Sequence, residues 1–206
     1  MRVFLVPRAQ AAGGFPQARR RFVLVMVVLA GLMQAGAAAD ERSTSEFDIA
    51  VREQRGVYSV TARFQVSQPP DVVRAVLTDY EAIPEFLPHV KSSVVLEREP
   101  GRAVVRQEAS SRFMLFSKRV HLVLEIDEES HHLGFQDRSK QSFARYEGSW
   151  CFNPADAGTE ILYQLVADPA FDVPGFILKR LLQRDSEETI RHLREEIATR
   201  AARPLR

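Results

Sequence analysis

The sequence predicts an α+β domain: a curved antiparallel β-sheet of about seven strands wrapped around a long C-terminal helix, with two short helices after the first strand. Three observations carry this expectation. Residues 90–167 divide into consecutive segments of alternating apolar and polar residues separated by short turn signals, the pattern of an antiparallel meander. Before them, residues 69–96 (PPDVVRAVLTDYEAIPEFLPHVKSSVVL) hold two helical stretches that Pro84 and Pro88 keep short. After them, residues 173–202 place Ile177, Leu178, Leu181, Leu182, Ile190, Leu193 and Ile197 on one helical stripe. A long antiparallel sheet must curl, and the helix stripe must be buried. Wrapping the one around the other satisfies both and leaves a space between them, which the short helices can close at one end.

The elements follow in order. Phe47, Ile49 and Val51, then Tyr58, Val60, Ala62, Phe64 and Val66, alternate as a strand that is bulged or broken near Arg55-Gly56. Asp71 is expected as N-cap of the first short helix, whose apolar face is Val72, Val73, Val76 and Leu77. Residues 90–98 form the next strand, Pro100-Gly101 a turn, and 103–111 a further strand. Residues 112–117 (RFMLFS) either continue that strand or form a loop at its end. Strands follow over 118–127, 133–138, 144–153 and 159–167, the last two joined by the turn Pro154-Ala155-Asp156-Ala157-Gly158. The terminal helix has Pro174 in its first turn, and its apolar stripe weakens at Asp185, Ser186 and Thr189.

The N-terminus is unlike the rest. Residues 1–39 contain Arg2, Arg8, Arg19, Arg20 and Arg21 and no acid. Removing those five from the 28 basic residues leaves 23 against 27 acids, a balance of about −4 that does not favour nucleic acid. Arg19-Arg20-Arg21, the apolar run FVLVMVVLAGLMQAG and Ala37-Ala38-Ala39 have the order of a secretory signal. The expected organisation is a signal peptide over 1–39 cleaved after Ala39, a polar lead-in over 40–45 and one domain over 46–202. The rival is an uncleaved inner-membrane anchor, for which the apolar run is just long enough. A periplasmic or secreted location follows from the first. Cys151 is the single cysteine, so no intramolecular disulfide forms, and it reads as a small packed strand residue.

No phosphate-binding glycine loop, nucleophile elbow or metal-ligand spacing is present, and no metal or cofactor is expected. Adjacent His131 and His132 read as turn residues. Aromatic residues spread over the sheet and the helix instead, and collectively suit an apolar cavity with few polar groups. Arg112, Arg145, Glu147 and Asp185 are the candidate polar groups, although Arg145 and Glu147 share a strand face and can pair with each other.

The stretch DYEAIPEFLPHVKSSVVLERE resembles the signature of the START-like, helix-grip (SRPBCC) superfamily, in its coenzyme Q-binding and polyketide cyclase/dehydrase-like branch. The matching residues are Asp79, Tyr80, Pro84, Phe86, Leu87, Pro88 and Lys91. A second match is FARYEGSWCF over 143–152, similar to that family's Phe…Leu-x-Gly-x-Trp-x-Phe strand, with Tyr146 where an aliphatic residue is usual. The resemblance spans roughly 47–201. It implies a seven-stranded sheet gripping the terminal helix around a hydrophobic tunnel, in a group whose members bind lipids, quinones or polyketides. The secretion signal departs from the related ribosome-associated members, which act in the cytoplasm.

The expected function is therefore non-catalytic binding or transport of a hydrophobic small molecule: a lipid, isoprenoid quinone or polyketide-like compound. Transient membrane contact is a further expectation. Phe86, Phe113, Phe116, Trp150, Phe176 and Leu181 are the expected lining, with Arg112 and Tyr146 as polar ligand-binding groups. Two alternatives stand beside it. One is an aromatase/cyclase-like enzyme using Arg112, Tyr146 or Glu147 as acid or base. The other is a protein-interaction module working through the outer face of the sheet.

Overall fold

A computed structural model describes residues 47–113 and 116–203, with side chains described outside 111–118. These residues belong to the compact unit Glu41–Arg206. The proposed signal segment lies outside the described residues. Among the described residues, no helix is long and apolar enough to cross a membrane.

The chain forms β1 (Asp48–Gln54), β2 (Val57–Val66), α1 (Pro70–Leu77), a single 3₁₀ turn (Tyr80–Ala82) and α2 (Ile83–Phe86). It continues with β3 (Val90–Glu99), β4 (Arg102–Phe113), β5 (Phe116–Glu128), β6 (His132–Asp137), β7 (Phe143–Ala155), β8 (Gly158–Pro169) and α3 (Gly175–Ala202). All eight strands lie in one antiparallel sheet in the order β1-β2-β8-β7-β6-β5-β4-β3. β3 to β8 are a meander of sequential neighbours. The one long connection, through α1 and α2, carries the chain from β2 to β3 at the opposite edge.

The sheet has one strand more than expected, because the first strand is a hairpin. Arg55 (φ 55°) and Gly56 (φ 83°) are consecutive left-handed residues. That is the two-residue turn whose twist matches a β-hairpin, and Gln54 pairs with Val57 directly across it. Asp71 also differs from expectation. α1 starts two residues earlier, at Pro70, and Pro69 occupies the cap position with no side-chain hydrogen bond. Asp71 sits in the first turn, where its charge still favours the positive helix end. Arg112, Phe113, Phe116 and Ser117 belong to the strands on either side, with Phe113 paired to Phe116 between β4 and β5.

The buried side chains form two clusters on the inner face of the sheet. The first joins β1, β2 and β8 to α1 and the C-terminal half of α3, through Val60, Phe64, Val73, Val76, Ile161, Ile190, Leu193 and Ile197. The second lies on β4 and β5, through Val105, Leu122, Leu124 and Ile126, and is capped by Tyr80 of the 3₁₀ turn. Phe135 and Tyr146 pack against both.

Two anchors hold the α1–α2 segment across the end of this arrangement. The Tyr80 hydroxyl donates to Glu128 Oε1 at 2.8 Å, and the guanidinium of Arg98 pairs with the same oxygen at 3.1 Å while lying over the Tyr80 ring. Burial, reinforced by the Glu128 carboxylate, pushes the Tyr80 hydroxyl pKa well above its ordinary value. On the other side, Asp79 pairs with Arg200 of α3 at 2.7 Å, and Arg200 also bonds Glu196 at 2.6 Å.

Candidate ligand cavity

Between the two clusters, under the α1–α2 segment and against α3, lies a cavity of about 250 Å³. Its position follows from the fold. α3 packs on β1 and β2 and also reaches β4, while β5 and β6 curl over the remaining space. Leu122, Leu124, Ile126, Leu133, Phe135 and Leu165 supply the sheet wall. Val76, Tyr80, Ile83, Phe86 and Leu87 supply the lid, and Leu182 and Leu193 lie on the helix wall.

β7 shows how the sequence aims its side chains. Successive strand residues point to opposite faces, so Tyr146, Gly148, Trp150 and Phe152 share the inner face. Tyr146 and Trp150 line the cavity, and Phe152 is completely buried. Trp150 stacks on Tyr163 of β8, with ring centroids 4.2 Å apart. Tyr146 lies 4.9 Å from the Phe143 ring and 6.1 Å from Phe135. Gly148 is required here. A Cβ at this position would sit 2.1 Å from the Gln164 carbonyl oxygen and 2.7 Å from the Phe135 ring, so only glycine lets that ring lie across β7. Arg145 and Glu147 face outward and pair with each other. Glu147 is thereby removed from any role in the cavity.

The polar groups are few; Gln107 and Ser110 of β4 line the wall, and the others gather in two places. His89, from the segment between α2 and β3, lines the cavity opposite Asp185, Ser186 and Thr189 of α3. His89 Nε2 is 3.4 Å from Thr189 Oγ1, and His89 Nδ1 is buried without a hydrogen-bond partner. Burial lowers the His89 pKa, with His192 and Lys91 adding to the fall and Asp185 and Glu188 opposing it. The imidazole is therefore neutral at pH 7. On the sheet wall, the hydroxyls of Tyr146 and Tyr163 interact with each other. Burial, then the charges of Asp185 and Asp137, pushes the Tyr146 pKa up to about 12. Burial, then Tyr146, raises that of Tyr163 further above its ordinary value. Both phenols stay protonated at neutral pH. Among the described residues, no group of three or more His, Cys, Asp or Glu gathers as a metal site.

The residues nominated from sequence fall into three sets. Phe86, Trp150 and Tyr146 come together on the cavity wall. Leu181 is buried on α3 but does not line the cavity; Leu182, about 100° further round the helix, does. Phe176 is a correction. It is 70% exposed, because it sits about 200° round the helix from buried Leu178. Arg112, Phe113 and Phe116 occupy the end of the β4–β5 hairpin, and their side chains lie outside the described residues. His89, Tyr163, Ser186 and Thr189 were not nominated. The signal for the last two was the weakened α3 stripe, which reads as a defect until a cavity is placed beside it.

A sheet closed over a terminal helix, with an apolar cavity between them, defines a helix-grip domain. The chain belongs to the polyketide cyclase/dehydrase and lipid transport family, which matches residues 66–194. Solved structures of the START-like superfamily share the fold. TTHA0849 from Thermus thermophilus is 26% identical, with a TM-score of 0.60, covering 70% of this chain and 99% of its own. The Zhui aromatase/cyclase from a Streptomyces species is 16% identical, with a TM-score of 0.61, covering 70% of this chain and 96% of its own. A STAR-related lipid transfer protein from Xanthomonas axonopodis is 16% identical, with a TM-score of 0.60, covering 74% and 99%. None of the curated proteins matches the sequence. Family and fold fit hydrophobic-ligand binding, lipid transfer or polyketide cyclisation.

Proposed function

We propose that the domain binds and carries a hydrophobic small molecule without transforming it, and that it does so outside the cytoplasm after loss of residues 1–39. The observation that carries the binding role is the cavity: about 250 Å³ walled mainly by aliphatic and aromatic side chains, with a few polar groups, most of them in one corner on α3 and His89 and the rest on the tyrosines and on Gln107 and Ser110 of β4. Affinity would come from apolar burial at roughly 25 cal/mol per Å². The volume lies just below the ~300–1,000 Å³ usual for small-molecule sites. A ring or a short chain segment fits; a whole phospholipid or polyprenyl quinone enters only if the lid moves or its tail leaves through the mouth. Native mass spectrometry and lipid extraction of the purified mature protein test this reading. A co-purifying lipid or quinone is expected. Protein that is consistently empty and takes up neither quinones nor phospholipids overturns it. Export is tested separately, by the N-terminal sequence of the protein recovered from a periplasmic fraction, expected to begin at Asp40.

The aromatase/cyclase-like reading has one observation in its favour: His89, Asp185 and Tyr146 are ionisable groups on the cavity wall. Turnover of a polyketide-type substrate, lost in His89→Phe, would establish it. The interaction-module reading has less support. The exposed large apolar side chains among the described residues are Val94, Leu96 and Phe176, two on edge strand β3 and one on α3, and they make no broad outer-face patch.

A further inference from the structure

The apolar stripe of α3 has one polar interruption, and that interruption faces the cavity. Asp185, Ser186 and Thr189 all line it. A helix that only closed a core would carry aliphatic residues at these positions, as it does at the buried Leu178, Leu181, Ile190 and Leu193. Polar groups in an apolar wall weaken a fold unless something polar meets them. His89 approaches from the facing segment, so acidic, hydroxyl and imidazole groups share one corner of a mainly apolar space.

The protons in this corner can be assigned. The single hydroxyl proton of Thr189 is donated to the Asp185 carbonyl oxygen at 2.7 Å. Thr189 Oγ1 can then only accept from His89 Nε2, which places the imidazole proton on Nε2 and leaves Nδ1 as an acceptor. That acceptor is buried and has no partner. Turning the ring about Cβ–Cγ toward the cavity gives up one polar contact of the ring, the long 3.4 Å approach to Thr189. The Asp185 carboxylate, bonded at Oδ1 by Arg184 at 2.8 Å, is likewise an acceptor. The turned imidazole presents a lone pair to whatever enters, beside the negative charge of Asp185.

We propose that His89, Asp185 and Thr189 form a head-group subsite that selects hydrophobic ligands carrying a hydroxyl donor, an alcohol or phenol, over equally apolar ligands whose oxygen can only accept, such as ethers and quinones. This rests on the cavity being a hydrophobic-ligand site. It narrows the ligand class to amphipathic hydroxyl compounds.

Trp150 is the only tryptophan of the chain and lines the cavity, so its fluorescence reports occupancy. The test titrates the purified, delipidated full chain with 4-nonylphenol and with 4-nonylanisole, which differ in O–H against O–CH₃. The ratio of the two affinities is compared between the parent, His89→Phe and Thr189→Val, each checked by thermal melting. Thr189→Val frees the imidazole to carry its proton on Nδ1. The phenol-to-anisole ratio should fall about tenfold in His89→Phe and fall in the same direction in Thr189→Val. An unchanged ratio in a folded variant that still binds the probes overturns the subsite and leaves the cavity reading standing. A parent that binds neither probe overturns both.

Discussion

His89 joins the lid to α3 and carries the clearest pH signature in the domain. Its pKa is lowered by burial, with His192 and Lys91 adding to the fall and Asp185 and Glu188 opposing it. A histidine whose folded pKa lies below the unfolded value of ~6.5 leaves the unfolded chain binding more protons as pH falls. Its cost to stability is absent above pH 6.5, grows as pH drops through that value and levels off below the folded pKa. The thermal midpoint of the parent should therefore fall more between pH 7 and pH 5 than that of His89→Gln. Parallel curves for the two proteins would show that His89 titrates as it does in the unfolded chain. Phe86 gives a second test. It lines the cavity from α2 and is only partly buried, so a charge there meets the ligand path more than the packed core. Phe86→Asp should weaken ligand retention at least tenfold while lowering stability by about 1 kcal/mol. Equal retention by mutant and parent would reduce Phe86 to packing. Phe86, Trp150 and Tyr146 were legible because strand alternation and the Pro-x-Phe-Leu-Pro pattern fix their direction locally. His89 was not, since a lone histidine after a proline carries no periodicity and its partners lie about 100 residues away in α3.

At the scale of elements, short helices are marginal by themselves, and here the lid is held by two polar anchors. The Tyr80–Glu128 bond is the stronger candidate, because Glu128 is only 5% exposed and depends on Tyr80 and Arg98. Tyr80→Phe leaves a buried carboxylate short of one donor and should cost about 1–3 kcal/mol, with faster ligand release measured by stopped-flow fluorescence. The Asp79–Arg200 pair is more exposed, with Asp79 at 45%. Asp79→Ala should cost under about 1 kcal/mol. If Asp79→Ala proved the more damaging change, the lid would be hinged from α3 rather than from the sheet. The elements themselves were largely legible: the meander, the proline-broken helices and the terminal stripe each appear where periodicity puts them. Two details were not. The hairpin at Arg55-Gly56 looked like a flaw in one strand, since arginine does not advertise a left-handed turn as asparagine or aspartate would. Asp71 has the residue type of a cap, but Pro70 fits the first helical position better and sets the helix start.

For the molecule as a whole, the cavity separates the demands of stability from those of binding. Interiors normally pack at crystal-like density with few voids larger than a water, yet this fold leaves about 250 Å³ between its two clusters. The sequence predicts that such a space exists, because a curled sheet cannot follow a single helix along its whole width. It does not predict the size, which depends on how far the sheet curls at Gly148 and how the Phe135 ring lies. If the space is a packing defect, filling it should stabilise the domain at no functional cost. If it is a ligand site, filling it should stabilise the empty domain and abolish uptake together. Ala109 on β4 lines the cavity, so Ala109→Leu projects three further carbons into it. Burial is worth about 0.8 kcal/mol per methylene. With overpacking discounted, the net gain should be about 1 kcal/mol, or roughly 2–4 °C in thermal midpoint for a domain of this size. Uptake of the apolar probe should fall at least tenfold in the same variant. A variant that is more stable and binds the probe as well as the parent would move the binding site away from the cavity.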